Sequence, residues 1–372
     1  MRASSVIISL LLAPLVGCSG GETTPPTPEE GNLYAELPPR KTTVSGIVYD
    51  PEAFFFSLAT FPQAPPPPEG QPPRDPPPPA LFNMIPYLTR SVPPGARVSI
   101  IGNGTVADVS GPATLPNGAW QVTGVPTSAT TPYLMMAEPP PEGVVMGAPM
   151  FFPSPPFVPI PNAKYYPTTT LRPIFASVPT CQMQAAQLVG EAGALGAVAQ
   201  LMTQMGTPTT PADLADPART GGVVLVWVYA PSFLLDLFLI PSGGIAIEPS
   251  RGTVYPIGWA PPGTFEGQMP MGYFAMPNGL SPLGYYAVVL PKGSSGPLSL
   301  RITDTVNDPN NHPGRGGPRP WLIPPFTSEV GPGVSFARLH AFSAMAPPPP
   351  DPNAEPVPAP DFSWMCMPMP PQ

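Results

Sequence analysis

The stretch "KTTVSGIVYD", Lys41 to Asp50, decides how the fold is read. Val44, Gly46 and Val48 alternate with Thr43, Ser45, Ile47 and Tyr49, a period near two in a segment rich in β-branched residues, and this predicts a strand. Similar signals recur downstream. "PPGARVSIIG" reads as a turn followed by a strand. "PNGAWQVTGVP" sets Asn117-Gly118 ahead of Trp120 and Val122. Asn-Gly is a strong hairpin signal, because both central residues of a type I′ turn take φ > 0. "TPYLMMAE" closes with another short strand, and several short strands separated by turns point to an antiparallel sandwich.

The composition sets bounds on the rest of the chain. At 372 residues there is room for two or three domains, and 42% hydrophobic content with 17 Phe, 11 Tyr and 5 Trp suffices for real cores. Yet there are 69 prolines, several times the roughly 5% of an ordinary protein. Charged residues make up only 10%, against the usual ~25%. The solvated surface must therefore be built from Pro, Ser, Thr, Asn and backbone. A net charge of -8, with 15 Lys+Arg and no clustered basic run, excludes nucleic acid as a partner. Two histidines and three cysteines leave little material for a transition-metal centre or a nucleophile–base pair.

Beyond the first strand group the pattern changes twice. "CQMQAAQLVGEAGALGAVAQLMTQMG" is rich in Ala, Leu, Met and Gln, with Leu188, Leu195, Val198, Met202 and Met205 near helical spacing, and it predicts a helix over about 181–205. Its Gly190-x-x-Gly193-x-x-Gly196 is not a phosphate loop, since no strand and no Gly-Lys-Ser/Thr frames it; the glycines read as points of close packing. Strand signals resume in "GGVVLVWVYAPS", "GGIAIEPSRGTVYPIGW", "GYYAVVLPKG", "PLSLRITD" and "GVSFARLHAFS". Val223 to Ile240 approaches the length of a membrane span, and a transmembrane helix is the alternative that length alone allows. Pro231, Asp236 and the β-branched "VVLVWVY" favour a buried strand and turn.

The chain's first residues carry a resemblance of their own. Arg2 and the apolar runs Val6-Ile7-Ile8 and Leu10-Leu11-Leu12 have the form of a secretory signal too short to span a bilayer. Leu15-Val16-Gly17-Cys18 then resembles the lipobox of bacterial lipoproteins. That resemblance implies cleavage after residue 17, lipidation of Cys18 by palmitate-type acyl chains, and anchoring in the cell envelope. Multiple chains give firm attachment at about 0.8 kcal/mol per buried CH₂. Ser19 in place of Asp leans toward the outer membrane.

The motif order "VSGIVYD", "PPGARVSIIG", "NGAWQVTGVP", "PYLMMAE" resembles the carboxypeptidase regulatory-like domain, a prealbumin-type β-sandwich. This copy departs from the family pattern by a Pro- and Phe-rich insertion. The resemblance covers residues 41–140, and the second strand group loosely resembles another sandwich of the same family.

The expected architecture is mainly β: two antiparallel β-sandwich domains joined by a helical spacer, with a Pro-rich disordered tether and tail. Its parts are a signal peptide (1–17), a tether (18–40), a first sandwich (41–140, insertion 51–92), a connector (141–220), a second sandwich (221–346) and a tail (347–372). Pro-rich tracts of this kind serve as spacers in extended polyproline II form.

Candidate chemistry is sparse. Asp304, Asn307 and Asp308 in "DTVNDPNNHPGRGG" supply oxygen donors of the kind Ca²⁺ prefers, without the EF-hand order; the same residues make ordinary connecting turns. Trp259 in "PIGWAPPG" and Trp321 in "PRPWLIPP" could stack on sugars or pack their loops. With Cys18 lipidated, Cys181 and Cys366 remain as thiols in an oxidising compartment and form a candidate disulfide fastening the tail to the helix. Met365, Met367 and Met369 around Cys366 are soft ligands of the Cu(I) type, a weaker reading than the disulfide. His312 and His340 have no catalytic context, and no nucleophile-elbow, zincin or paired-carboxylate motif occurs. The expected function is a lipid-anchored envelope protein with a non-enzymatic adhesion, scaffold or assembly role. It would have no cofactor, and its partner would be another envelope protein or a polysaccharide. The alternative is a carbohydrate- or Ca²⁺-binding module of the outer surface.

Overall fold

The computed structural model describes residues 40–59, 95–102, 109–113, 118–127, 132–139, 164–174, 182–230, 240–241, 243–260, 272–307 and 319–343. Among these residues the protein is mainly β. Strand β1 (Lys41–Tyr49) runs through Asp50 directly into helix α1 (Pro51–Ala59). Four strands follow: β2 (Arg97–Gly102), β3 (Val109–Ala113), β4 (Ala119–Pro126) and β5 (Tyr133–Glu138). Next come β6 (Tyr165–Tyr166), β7 (Thr168–Ile174), β8 (Gln182–Gln187) and β9 (Val189–Gly190), then helices α2 (Ala194–Gln204) and α3 (Pro211–Ala215). The remainder is strand: β10 (Val223–Ala230), β11 (Ile240–Pro241), β12 (Ile245–Pro249), β13 (Thr253–Ala260), β14 (Gly272–Ala275) and β15 (Tyr285–Val289). It ends with β16 (Pro297–Asp304), β17 (Trp321–Leu322), β18 (Phe326–Glu329), β19 (Val334–His340) and β20 (Phe342–Ser343).

One long sheet has the order β14-β13-β15-β10-β19-β7-β5-β2-β3, with β11 also paired to β10. Its centre is parallel, β10 to β19 and β19 to β7, and its flanks are antiparallel. β10 shows why such a centre forms. Its residues from Val223 to Tyr229 are all buried, as a strand covered on both faces requires. Val223, Leu225 and Trp227 pack into a core with Leu195 and Val198 of α2. Val224, Val226 and Val228 pack on the opposite side with Ile245, Ile247, Leu298 and Leu300 of a smaller sheet, β12-β16-β18. The buried-strand reading of "VVLVWVY" is what the chain adopts, and among the described residues no helix is long and apolar enough to cross a membrane.

A third sheet, β4-β1-β8, encloses another core, in which Val44, Val48, Trp120 and Val122 meet Val98, Ile100 and Met135 of the long sheet. The alternation read in "KTTVSGIVYD", "ARVSIIG", "AWQVTGVP" and "YLMMAE" thus corresponds to β1, β2, β4 and β5.

Three features differ from the sequence-based expectation. First, the two groups of strands share one sheet: β19 of the second group pairs in parallel with β7, Phe336 opposite Thr170, and β7 pairs with β5 of the first. Second, the helix begins at Ala194, whereas residues 182–187 form β8, parallel to β1 with Gln184 opposite Gly46. A Cβ at Gly46 would stand 1.6 Å from the Gln184 carbonyl oxygen, so glycine is what allows the two backbones to meet. That ladder outweighs the helix propensity of Gln, Met and Ala, which is worth only tenths of a kcal/mol per residue. Third, Gly118 has the positive φ of a turn, +77°, but β3 pairs with β2 and β4 with β1. β3 and β4, the strands on either side of Gly118, therefore pair in different sheets instead of with one another.

Candidate functional site

The chemistry that stands out in the folded chain lies at the β1–α1 junction, Asp50-Pro51-Glu52. Asp50 Oδ1 accepts hydrogen bonds from the backbone N–H groups of Glu52 at 2.8 Å and Ala53 at 3.0 Å. Pro51 follows at the first helical position, where its missing N–H costs nothing. Asp50 is thus the cap of α1. Its second oxygen accepts a hydrogen bond from the Tyr165 hydroxyl of β6 at 2.8 Å.

Glu52 reaches farther. Its Oε1 accepts from the Ala194 backbone N–H at 2.7 Å and from the Tyr285 hydroxyl at 2.7 Å. The first contact satisfies a donor in the opening turn of α2, whose own N-cap, Gly193, has no side chain to do so. The backbone oxygen of Glu52 accepts from the Tyr273 hydroxyl of β14 at 2.8 Å. Glu52 Oε2 is buried and has no hydrogen-bond partner among the described residues. It lies against Gly193, where a Cβ would stand 1.7 Å away. The glycine read as a point of close packing is thus the point where α1 and α2 meet.

Burial governs the electrostatics here. It pushes Asp50 up to about 6, against the opposing effect of the hydrogen bonds from Ala53, Tyr165 and Glu52. Burial, with the Asp50 charge beside it, pushes Glu52 up to about 8, although the donors on Oε1 favour the anion. Two carboxyls two residues apart in a dry setting cannot both ionise cheaply. Tyr165, Tyr273 and Tyr285 are raised well above the usual phenol range, first by burial and then by these carboxyls. Around them is an aromatic wall: Trp227 stacks on Tyr285 with centroids 4.1 Å apart, and Phe55 of α1 meets Trp227 and Trp259 edge-on at 5.5 and 5.7 Å.

A cationic group lies near the ends of β7 and β19. Arg338 Nη1 donates to the Tyr49 hydroxyl oxygen at 3.0 Å. Burial, then the charges of Arg338 and Arg172, press His340 down to about 4. Arg172 is itself lowered by burial and by Arg338.

The residues singled out from the sequence fall elsewhere. Asp304 is buried in a two-point ion pair, Oδ1 to Arg319 Nη2 at 2.5 Å and Oδ2 to Arg319 Nε at 2.9 Å. It also accepts from the backbone of Trp321 at 2.9 Å and of Val306 at 3.1 Å. Asn307 is exposed beyond it, and Asp308 lies outside the described residues. Trp321 is only 4% exposed, with the Arg319 guanidinium 4.2 Å from its ring centroid. Trp259 is half-buried against the core that holds Val44, Trp120 and Val122. Among the described residues no group of three or more His, Cys, Asp or Glu could hold a metal ion. Cys18, Cys181 and Cys366, and with them the anchor and the candidate disulfide, lie outside the described residues. His340 sits on a strand, partly buried, as its context implies.

Asp50 and Glu52 were not singled out from the sequence. A signal was present: Asp-Pro-Glu before an apolar run is a helix start. Nothing local marks Glu52 as buried, because Ala194 and Tyr285 are 142 and 233 residues away. Comparison with protein-family models, curated proteins and solved structures finds no match to this chain.

Proposed function

We propose that this is a lipid-anchored protein of the cell envelope whose β-rich body has a non-catalytic role in adhesion, scaffolding or assembly. The anchor is Cys18, at the end of Leu15-Val16-Gly17-Cys18, and the tether is the Pro-rich segment that follows. Bodies of the carboxypeptidase regulatory-like type, which the motif order resembles, would suit such display.

The observation that carries the non-catalytic reading is how the buried acids are used. Asp50 and Asp304 commit both oxygens, and Glu52 its Oε1, to groups of their own chain, among them Tyr165, Ala194, Tyr285 and Arg319. An acid or base that serves a substrate needs reach to that substrate. These carboxyls join elements of the fold instead.

The test is metabolic labelling of the full chain with radiolabelled palmitate in a bacterial host, beside Cys18→Ser. Label on the wild type, absent from the variant, together with release of the variant from the membrane fraction, is the expected result. An unlabelled wild-type chain would remove the anchor, and with it the envelope assignment.

A further inference from the structure

We propose that the carboxyl of Glu52 is a proton-held latch: while protonated it fastens α1 to the first turn of α2 and to β15, and loss of its proton releases that join. This inference is independent of the lipid anchor. It begins from geometry. One carboxyl oxygen, Oε1, carries both long-range bonds, to Ala194 and Tyr285, while Oε2 is pressed against Gly193 with no donor among the described residues. In the neutral acid Oε2 is an unsatisfied polar atom. In the anion it shares a full negative charge on a buried atom that no donor among the described residues meets, a far costlier state.

Among the described residues, the groups facing this carboxyl supply no compensating cation. On its own segment is Asp50, a like charge. From β6 comes Tyr165, from β14 Tyr273, from β15 Tyr285 and from β10 Tyr229, all phenols in electrostatic contact with it. Helix α2 has no ionisable side chain and offers only backbone. Arg338 of β19 donates to Tyr49, the residue before Asp50. An ionised Glu52 is therefore relieved by moving toward water, which takes α1 away from α2.

The sign follows from linkage. The latched value of about 8 lies above the ordinary 4.5, so the join is fully stabilised below pH 4.5 and loses that stabilisation as pH rises through 8.

The measurement is amide hydrogen exchange of the full chain from pH 6 to 8, expressed as protection factors. The Ala194 amide is compared with Val226 in the buried centre of β10. In the wild type, protection of Ala194 is expected to fall by roughly 50-fold over this range, while Val226 holds. In Glu52→Gln the Ala194 value should stay flat. Asp50→Asn, which keeps a capping oxygen but removes the like charge, should move the wild-type transition to higher protection at a given pH by lowering the cost of the ionised state within the latch. Equal pH dependence in wild type and Glu52→Gln would overturn the proposal, as would Val226 falling in step with Ala194. Should Glu52→Gln fail to fold, an unmoved transition in Asp50→Asn overturns it equally.

Discussion

At the scale of single residues, the firmest electrostatic feature is Asp304 with Arg319. Their side chains are 1% and 4% exposed, and the guanidinium also donates to the Gly243 carbonyl at 2.7 Å while lying over Trp321. A buried pair is weak evidence of net stabilisation, because desolvating two charges offsets much of their attraction. Removing one partner is different, since it leaves the other charge buried. Arg319→Met is therefore expected to destabilise the fold by about 3–5 kcal/mol, read as a lower urea midpoint at unchanged slope. A change under about 1 kcal/mol would mean that Asp304 finds water or another donor, and that its loop is more open than its contacts imply. Asp304 sits at a strand end beside Asn307, but only the fold brings Arg319 to it.

At the scale of elements, the α1–α2 contact makes a prediction of unusual sign. Replacing glycine by alanine at a helix terminus ordinarily changes stability by no more than about 1 kcal/mol, often favourably. At Gly193 a Cβ would stand 1.7 Å from Glu52 Oε2 and 2.2 Å from its carboxyl carbon. Gly193→Ala should therefore lower the melting temperature by several degrees, and a raised one would show that α1 does not rest on α2.

Strands at this scale were largely legible: β1, β2, β4, β5 and β10 follow from alternation or from a continuous β-branched run. β8 was not, because Gln182–Gln187 has the composition of a helix and becomes a strand only by lying beside β1 across Gly46. The carboxyl pair was hidden for the same reason. Asp50-Pro51-Glu52 announces a helix start locally, while its burial depends on Tyr165, Ala194 and Tyr285, which only the tertiary fold brings near.

At the scale of the whole described body, the question is whether its two groups of strands are separate folding units. The sequence reads as two sandwiches with a helix between, since each group has its own turns and alternation, and nothing in a one-dimensional pattern reports pairing across 160 residues or more. The sheet runs through both groups. β7 has β5 on one edge and β19 on the other, β1 takes β8 as its parallel neighbour, and Glu52 bonds to Tyr285. A piece comprising residues 41–140 would keep the β1–β4 and β2–β5 pairs but lose β7 and β8, leaving the edges of β1 and β5 open and removing Tyr165, Ile174, Ala186 and Leu188 from the core they share with Val44, Ile100 and Met135. Open apolar edges favour aggregation over folding. The expected outcome is that fragments 41–140 and 221–346 each lack a cooperative thermal transition by near-ultraviolet circular dichroism, whereas the full chain melts in one step. A cooperative transition in the isolated 41–140 fragment would restore the two-unit view and make the β7–β19 pairing a docking contact between domains. Without one, the parallel pairing at the sheet's centre is part of the fold itself, and a change at the α1–α2 latch would be felt by both groups of strands at once.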